Sequence, residues 1–384
     1  MNRREFTRNG LILGGLVATG VSFPTSLQAD SIRKQILVLG GTRFLGPAFV
    51  EAALVAGHAV TLFNRGQTNP DLFPHLEKLR GVRSANTQEQ NLSSLNGRHW
   101  DAVVDIWPSS PELVGSAALF LKDHTDHYVY VSSCAAYETK PISPAPNPPE
   151  AEEWPLCPFD RSATGGRQYQ VEKAESERRV HAAFAHRSTI VRPAIIKGYR
   201  DYGGEDLAFH LVRAQRGGKR IGPGTGNDCL QFIDVRDVGR FLVRCVDGPL
   251  WGTFNVSGEV QTLRSFLETS KAVAHSDAEF VWIPQSFLHE QGLEPGSNFP
   301  FWYPGKDREL LAREPKTPKP WGIDCTRAMR AGLRRRPVEE TISEHLEWFT
   351  ENNPRDFEFQ FLSSGQEKEV LRSWEKKGAA GTAS

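Results

Sequence analysis

The stretch from Gln35 to Gly66, QILVLGGTRFLGPAFVEAALVAGHAVTLFNRG, limits the possible folds of this chain more than any other. The apolar run Ile36–Leu39 has the length and branching of a buried strand, and two glycines end it. A helical apolar pattern follows, Gly57 ends that helix, and Ala59–Phe63 predicts a second buried strand. A strand, a glycine turn, a helix and a strand in this order open a dinucleotide-binding fold, in which the turn and the helix N-terminus hold a pyrophosphate.

Strand and helix patterns continue to alternate along the chain. Strands are predicted at Ala102–Ile106, His127–Ser132 and Ser188–Val191, and helices at Pro111–Lys122 and Gln170–Ala185. This rhythm predicts parallel βαβ units, and therefore an α/β fold with a Rossmann-type doubly wound parallel sheet. Later patterns predict a strand at 232–233, a helix at 237–246, a strand at 251–256 and a last amphipathic helix that begins at Pro337.

These patterns predict a large domain with a smaller C-terminal substrate-binding region. The expected parts are a dinucleotide-binding domain over 34–193 to which 228–258 returns, a substrate-binding region over 194–227 and 259–350, and a C-terminal extension over 351–384. We expect the tail from Gly378 to be disordered, because it is small and polar. The segment 139–158 is rich in proline and acid and has no regular period, so we expect it to be a loop. The segment 67–99 is polar and poorly patterned, and the aromatic, proline-rich segment 286–320 is a candidate cover for a binding site.

Residues 1–29 have the pattern of a twin-arginine export signal. Arg3-Arg4 precede a short apolar run, Leu11–Val21, and small residues lead to Ala29. The apolar run is too short for an ordinary membrane span, so we expect a periplasmic or extracellular mature form that starts near Asp30 and has no stable span. The alternative interpretation is an ordinary basic N-terminus before a first helix.

Composition narrows the possible partners and cofactors. The chain has 46 Lys+Arg and 46 Asp+Glu residues, so its net charge is zero. It therefore lacks the positive charge that would indicate a nucleic-acid partner. The five cysteines are scattered and odd in number, without CxxC spacing, which argues against a metal site or a disulfide framework and leaves one disulfide open.

Three residues form a pattern that suits proton transfer. Tyr169 and Lys173 lie one helical turn apart on one face, and Ser133 follows a parallel strand at the sheet edge where ligands bind. A nearby ammonium, together with an oxidised nicotinamide, would lower the pKa of the Tyr169 phenol toward neutrality. Each residue alone also fits a structural role, as part of a solvated helix face or as a helix cap. The three in this order favour chemistry.

These residues resemble the extended short-chain dehydrogenase/reductases, also called the NAD-dependent epimerase/dehydratase family. The resemblance rests on segments spread over nearly the whole mature chain: 40–46, 132–137, 169–177, 192–198, 232–237, 254–258 and 322–348. It implies that Ser133, Tyr169 and Lys173 are catalytic. It also implies cofactor contacts from the glycine turn, several strand ends and the lysine, namely Gly40, Thr42, Arg43, Phe44, Leu45, Gly46, Asn64, Arg65, Asp105, Lys173 and Pro193.

The chain departs from that family at four places. Arg43 replaces the middle glycine, and the resulting GGTRFLG resembles an atypical branch that includes chloroplast stem-loop RNA-binding proteins. Asn64-Arg65 stand where an acid would bind the ribose of NAD, which favours NADP over NAD. Cys134-Ala135 supply no acid for elimination. Gln231 stands at the family's diphosphate-binding arginine, which argues against a nucleotide sugar.

We therefore expect an exported NAD(P)-dependent oxidoreductase or epimerase that acts on a hydroxyl or carbonyl carbon. The expected substrate is a small molecule such as a free sugar, glycoside or polyol. The alternatives are a non-catalytic nucleotide- or RNA-binding relative of the same fold, and a simple cytoplasmic reductase. The sequence leaves the substrate, the stereochemistry and a homo-oligomer open.

Overall fold

We describe the fold from a computed structural model of the chain. The structure describes residues 32–84, 91–106, 110–137, 156–304, 323–354 and 357–381. The predicted export signal, most of the predicted loop over 139–158, and residues 382–384 lie outside these ranges.

The described residues form thirteen strands and ten α-helices. The strands, β1 to β13 in chain order, are Gln35–Leu39, Ala59–Asn64, Glu77–Arg80, Ala102–Asp105, Tyr128–Val131, Ser188–Pro193, Ile195–Lys197, Lys219–Pro223, Cys229–Leu230, Phe232–Asp234, Gly252–Val256, Gln261–Thr262 and Glu279–Ile283. The helices, α1 to α10, are Leu45–Val55, Pro111–Leu121, Gly165–Phe184, Glu205–Gln215, Val235–Asp247, Leu263–Val273, Gln285–Glu290, Thr326–Arg330, Val338–Asn352 and Ser364–Gly381.

Seven strands form one sheet in the order β11-β6-β5-β4-β1-β2-β3, and every neighbouring pair is parallel. The run 3-2-1-4-5-6 within this order is that of a Rossmann-type doubly wound sheet, which confirms the predicted fold class. Strand β3 lies in the poorly patterned segment over 67–99, where the sequence predicted no element. Its sequence, Glu-Lys-Leu-Arg, is an edge strand that pairs only with β2, so it does not need an apolar run.

Helices pack on both faces of this sheet, because successive side chains of each strand point to opposite faces. Ile36 and Val38 of β1 point into a core with α1 and α5, whereas Leu37 and Leu39 point into a core with α2 and α3. Helices α1 and α5 pack so closely that a Cβ at Gly239 would lie 2.7 Å from the Ala48 backbone.

A second apolar core lies among α4, α6, α7, α9, α10 and the paired strands β8 and β13. It includes Val370 and Leu371 of α10, and Glu367 of the same helix pairs with the buried Arg213. The helix that begins after Pro337 is therefore not the last one, contrary to the sequence prediction. Helix α10 also extends to Gly381, so the disorder expected from Gly378 is wrong as far as Gly381.

The described part of the chain bears on three further expectations. It contains no helix that is long and apolar enough to cross a membrane. All five cysteines lie within it as free thiols. Within the same residue ranges, no group of three or more His, Cys, Asp or Glu side chains could hold a metal ion.

Candidate functional site

The glycine turn after β1 has a backbone that other residues would strain. Gly40 and Gly41 have φ of 112° and 93°, a region that L side chains rarely adopt. A Cβ at Gly46 would lie 2.6 Å from the carbonyl carbon of Gly41, so helix α1 approaches the turn closely only because Gly46 has no side chain. Phe44, with φ of 48°, precedes α1 and makes no side-chain cap. Gly46 N donates to the Arg43 carbonyl at 3.0 Å, and no side chain caps the helix, so the N-terminus of α1 and its dipole fit a pyrophosphate.

The two polar residues within this turn differ in exposure. The Arg43 side chain is exposed, whereas Thr42 is buried and its carbonyl accepts a hydrogen bond from Asn69 Nδ2 at 2.7 Å. Arg43 is therefore free to reach a ligand, while Thr42 fixes the turn to the loop after β2.

The end of β2 is tied to both neighbouring strands by one amide. Asn64 Nδ2 donates to the Gly40 carbonyl at 3.1 Å, and Asn64 Oδ1 accepts from Gly66 N at 2.9 Å. The same oxygen accepts from Arg80 Nη1 at 2.6 Å. Arg65 is exposed. The sequence did not predict Arg80 at this edge, because the strand that carries it was not recognised.

The Asp105 side chain does not face a ligand. It has no exposed surface, and its two oxygens accept from Arg83 Nη1 and Nη2 at 2.8 and 2.9 Å. The Tyr128 hydroxyl also donates to it at 2.7 Å. This side chain thus joins strand ends, and a cofactor contact of Asp105 stays a prediction that its backbone would have to fulfil. Pro193 is likewise buried, paired with Val256 in the sheet.

Ser133 and Tyr169 are brought together at the carboxyl edge of the sheet. Ser133 follows β5 and accepts from Ala135 N at 3.1 Å, and its hydroxyl is near enough to Tyr169 to act on the pKa of that phenol. Tyr169 lies inside α3 and keeps 39% of its surface exposed. Burial raises the pKa of Tyr169, and the Ser133 hydroxyl offsets part of that rise. The predicted lowering of this pKa is therefore not found in the protein alone.

Lys173, one turn along α3, is almost completely buried. Its Nζ donates to the Val131 carbonyl at 2.9 Å and to the Tyr130 hydroxyl at 3.2 Å. Burial lowers the pKa of Lys173 to about 7, although Asp105 and Glu177 act in the opposite direction. The ammonium is thus only partly protonated near neutrality.

Behind these residues a buried network fixes helix α3 to the sheet. Glu177 accepts from Arg192 Nε at 2.9 Å and from its Nη2 at 2.5 Å, and the Ser132 hydroxyl also donates to Glu177. The Arg192 guanidinium lies 4.5 Å from the centre of the Tyr137 ring, whose hydroxyl donates to Asn255 Oδ1 at 2.7 Å. The network sets the position of α3, and so of Tyr169 and Lys173, relative to Ser133.

The structure therefore assembles most of the predicted site at one edge of one sheet. The glycine turn, the end of β2, Ser133 and the two α3 residues all lie at carboxyl ends of parallel strands or follow them. Tyr130, which bonds Lys173, was missed. The alternation of His127–Ser132 could have found it, since Tyr128 and Tyr130 fall on one strand face.

The fold and these residues define a Rossmann-type α/β protein with a glycine turn beside a Ser–Tyr–Lys cluster. Solved structures with this fold include UDP-glucose 4-epimerase from Thermotoga maritima with UDP-glucose, at a TM-score of 0.58 and 17% identity over 83% of this chain and 99% of that chain. UDP-glucuronic acid 4-epimerase from Bacillus cereus with NAD has a TM-score of 0.56 and 13% identity over 82% and 98%. dTDP-glucose 4,6-dehydratase from Bacillus anthracis with NAD has a TM-score of 0.56 and 15% identity, over 88% of this chain and 99% of that chain.

Sequence similarity to known proteins covers less of the chain than structural similarity does. No family model matches the chain. The chain is 28% identical over 246 residues to the chloroplast stem-loop binding protein of 41 kDa b from Arabidopsis thaliana, a match that covers 60% of this chain. The matched part spans 60% of the length of that relative.

The lowered pKa of Lys173 predicts a pH-dependent cost in stability. Between about pH 10.4 and 7 this amine is protonated in the unfolded chain and neutral in the folded one. Wild-type stability should therefore fall, relative to Lys173→Met, by on the order of 1 kcal/mol per pH unit as the pH drops through this range. Below pH 7 both states are protonated, and the difference should level off. Urea unfolding of both proteins from pH 6 to 10 measures this, and a pH-independent difference would contradict the pKa.

Proposed function

We propose that this protein is an NAD(P)-dependent oxidoreductase or epimerase that acts on a hydroxyl or carbonyl carbon of a sugar-like substrate. The observation that carries the proposal is the placement of Ser133, Tyr169 and Lys173 at the sheet edge that also holds the glycine turn. Lys173 Nζ donates to the Val131 carbonyl at 2.9 Å, two residues before Ser133. A phenol, a hydroxyl and an amine beside a dinucleotide cradle suit the transfer of one proton and one hydride.

The chain's own residues handle the proton. A bound nicotinamide supplies the redox chemistry, taking a hydride from the substrate carbon or returning it. Ser133 holds the substrate oxygen through its hydroxyl and keeps the Tyr169 phenol directed at the same oxygen. Tyr169 gives its proton to that oxygen when a carbonyl is reduced, and takes it back when a hydroxyl is oxidised. Its raised pKa in the protein alone leaves it protonated and ready for the first of these steps.

For the second step Tyr169 needs a positive charge nearby. Lys173, held by the Val131 carbonyl and the Tyr130 hydroxyl, is the closest candidate along α3. A protonated Lys173 would favour the phenolate over the phenol. By the family resemblance, the same ammonium would also bind the nicotinamide ribose. Oxidation should therefore fall at high pH, where Lys173 becomes neutral.

Two features favour a free sugar or polyol over a nucleotide sugar. Gln231 stands where the related sugar-nucleotide enzymes place a diphosphate-binding arginine. Its side chain donates to the Gly258 carbonyl at 2.9 Å and accepts from Ile323 N at 2.8 Å, so both ends of the amide already bind backbone. Cys134 and Ala135 also leave no acid beside Ser133 for elimination, so the proposal excludes a dehydratase.

We also propose export by the twin-arginine route and a cofactor that stays bound. The route carries folded proteins, so the chain could take up its cofactor before export. No nicotinamide pool outside the cytoplasm would renew it, which favours a reaction that reduces and reoxidises the cofactor within one turnover, such as epimerisation. NADP is preferred over NAD because Asn64 and Arg65 replace the acidic end of β2. Four of the solved structures with this fold contain NAD, so this preference would distinguish the chain from them.

Likeness to a stem-loop binding protein supports one other candidate, RNA binding without catalysis. The zero net charge and the placement of Ser133, Tyr169 and Lys173 at one sheet edge favour the enzyme. The two candidates differ in what removal of the phenolic proton does, because RNA binding does not use it.

The catalytic assignment predicts that Tyr169→Phe loses turnover and keeps the fold. The variant removes only the hydroxyl, and general acid–base catalysis is typically worth ~10²–10⁴-fold, so the rate should fall by that factor. Ser133→Ala should cost less, because it orients the substrate without carrying the proton. Rates of oxidation, reduction or epimerisation over a panel of sugars and polyols measure this.

Ser116→Ala is the control, because it also removes one hydroxyl, which lies in α2 and donates to the Leu113 carbonyl of the same helix at 3.2 Å. Its turnover should equal that of the wild type. Unchanged turnover in Tyr169→Phe would contradict the assignment, and binding of a stem-loop RNA would then favour the second candidate.

The export proposal predicts a mature N-terminus near Asp30 in the periplasmic or extracellular fraction of the native host. Replacing Arg3-Arg4 with two lysines should keep the protein in the cytoplasm, because the paired arginines mark the route. N-terminal sequencing of each fraction measures this. An intact Met1 confined to the cytoplasm in the wild type would rule the proposal out.

A further inference from the structure

The edge strand β3 places a cation beside the glycine turn. Arg80 is the last residue of β3 and pairs in register with Asn64, the last residue of β2. Both strands run parallel to β1, so these residues lie at the edge of the sheet where the Gly40 turn begins. In doubly wound sheets, ligands bind outside this carboxyl edge.

Hydrogen bonds hold the guanidinium at this place. Arg80 Nη1 donates to Asn64 Oδ1 at 2.6 Å, and Asn64 Nδ2 donates in turn to the Gly40 carbonyl at 3.1 Å. The guanidinium also lies against Gly66, where an added Cβ would approach its central carbon to 2.5 Å. Arg80 is thus connected to the glycine turn through a single side chain.

The charge of Arg80 is not neutralised by a carboxylate in the part of the chain that the structure describes. Two neighbouring arginines are neutralised there: Arg83 pairs with Asp105 at 2.8 Å, and Arg98 pairs with Glu77 at 2.6 Å. Arg80 instead bonds the neutral amide of Asn64. Because an amide accepts a hydrogen bond without cancelling the charge, the guanidinium keeps its attraction for an anion.

We infer that Arg80 binds the 2′-phosphate of NADP and is the residue that sets the cofactor preference of this chain. The inference rests on the proposed function, since it requires a dinucleotide in the glycine turn. The end of β2 is where the adenosine ribose of such a cofactor lies, and there an arginine accommodates a 2′-phosphate. Arg65 and Arg80 are both exposed, but Arg80 is already positioned by its hydrogen bond to Asn64, so it loses less side-chain freedom on binding.

Asn64 acts here as a positioning residue. An aspartate could not donate to the Gly40 carbonyl, and its charge would pair with Arg80 and repel a 2′-phosphate. It would offer the ribose hydroxyls of NAD an acceptor instead. Asn64 and Arg80 together therefore determine whether the site prefers NADP or NAD.

The test is calorimetric titration of the purified protein with NADP⁺ and with NAD⁺, which needs no substrate and no turnover. Arg80→Ala should weaken NADP⁺ binding by roughly tenfold or more and change NAD⁺ binding less than twofold, because it removes one charge-assisted contact. Arg98→Ala is the matched control: it deletes an arginine that Glu77 neutralises, and both affinities should stay the same. Arg65→Ala should weaken NADP⁺ binding less than Arg80→Ala.

A second variant separates charge from packing. Asn64→Asp keeps the size of the side chain. It should raise the ratio of the Kd for NADP⁺ to the Kd for NAD⁺ by roughly tenfold or more. Equal losses of both cofactors in Arg80→Ala, or a larger effect of Arg65→Ala, would overturn the inference and leave the proposed function standing. Binding of neither dinucleotide by the wild type would overturn both.

Discussion

Because the seven strands of the sheet are parallel, their carboxyl ends all lie at the same edge. The candidate site depends on this constraint. Residues separated by more than a hundred positions meet because each follows the carboxyl end of a strand. The glycine turn follows β1, Asn64 ends β2, and Ser133 follows β5. Helix α3 completes the site, and the buried Glu177–Arg192 pair fixes that helix to β6.

Burial controls the chemistry of the site more than the pairing of opposite charges does. Tyr169 and Lys173 are neighbours on α3, yet burial raises the pKa of the phenol and lowers that of the amine to about 7. Both groups are thereby shifted toward their neutral forms in the protein alone. In the proposed mechanism, a charged cofactor would change this balance and so link dinucleotide binding to proton transfer.

The parts of the fold that local sequence determines could be predicted, and the parts that distant contacts determine could not. Apolar runs such as Ile36–Leu39 and the glycines after them reveal buried strands and a turn, whatever else the chain does. Strand β3 was missed because an edge strand needs no apolar run. Helix α10 was missed because its small apolar side is stabilised by a core built from 207 onward.

The same division applies to the candidate site. Spacing alone placed Tyr169 and Lys173 on one helix face, and Ser133 at a strand end. It could not show that the Asp105 carboxylate forms a salt bridge with Arg83, because the two residues are more than twenty positions apart. It also could not show that Lys173 binds Tyr130 and the Val131 carbonyl, because those contacts depend on how closely α3 packs against β5.

The central claim is that the glycine turn and the Ser–Tyr–Lys cluster work on a nicotinamide dinucleotide that stays bound. The most direct test is to purify the protein from its native host, denature it, and identify and count the released nucleotides by chromatography and mass spectrometry. The account predicts close to one nicotinamide dinucleotide per chain, with NADP in excess of NAD. A protein that releases none, and binds neither dinucleotide when either is added back in excess, would contradict it.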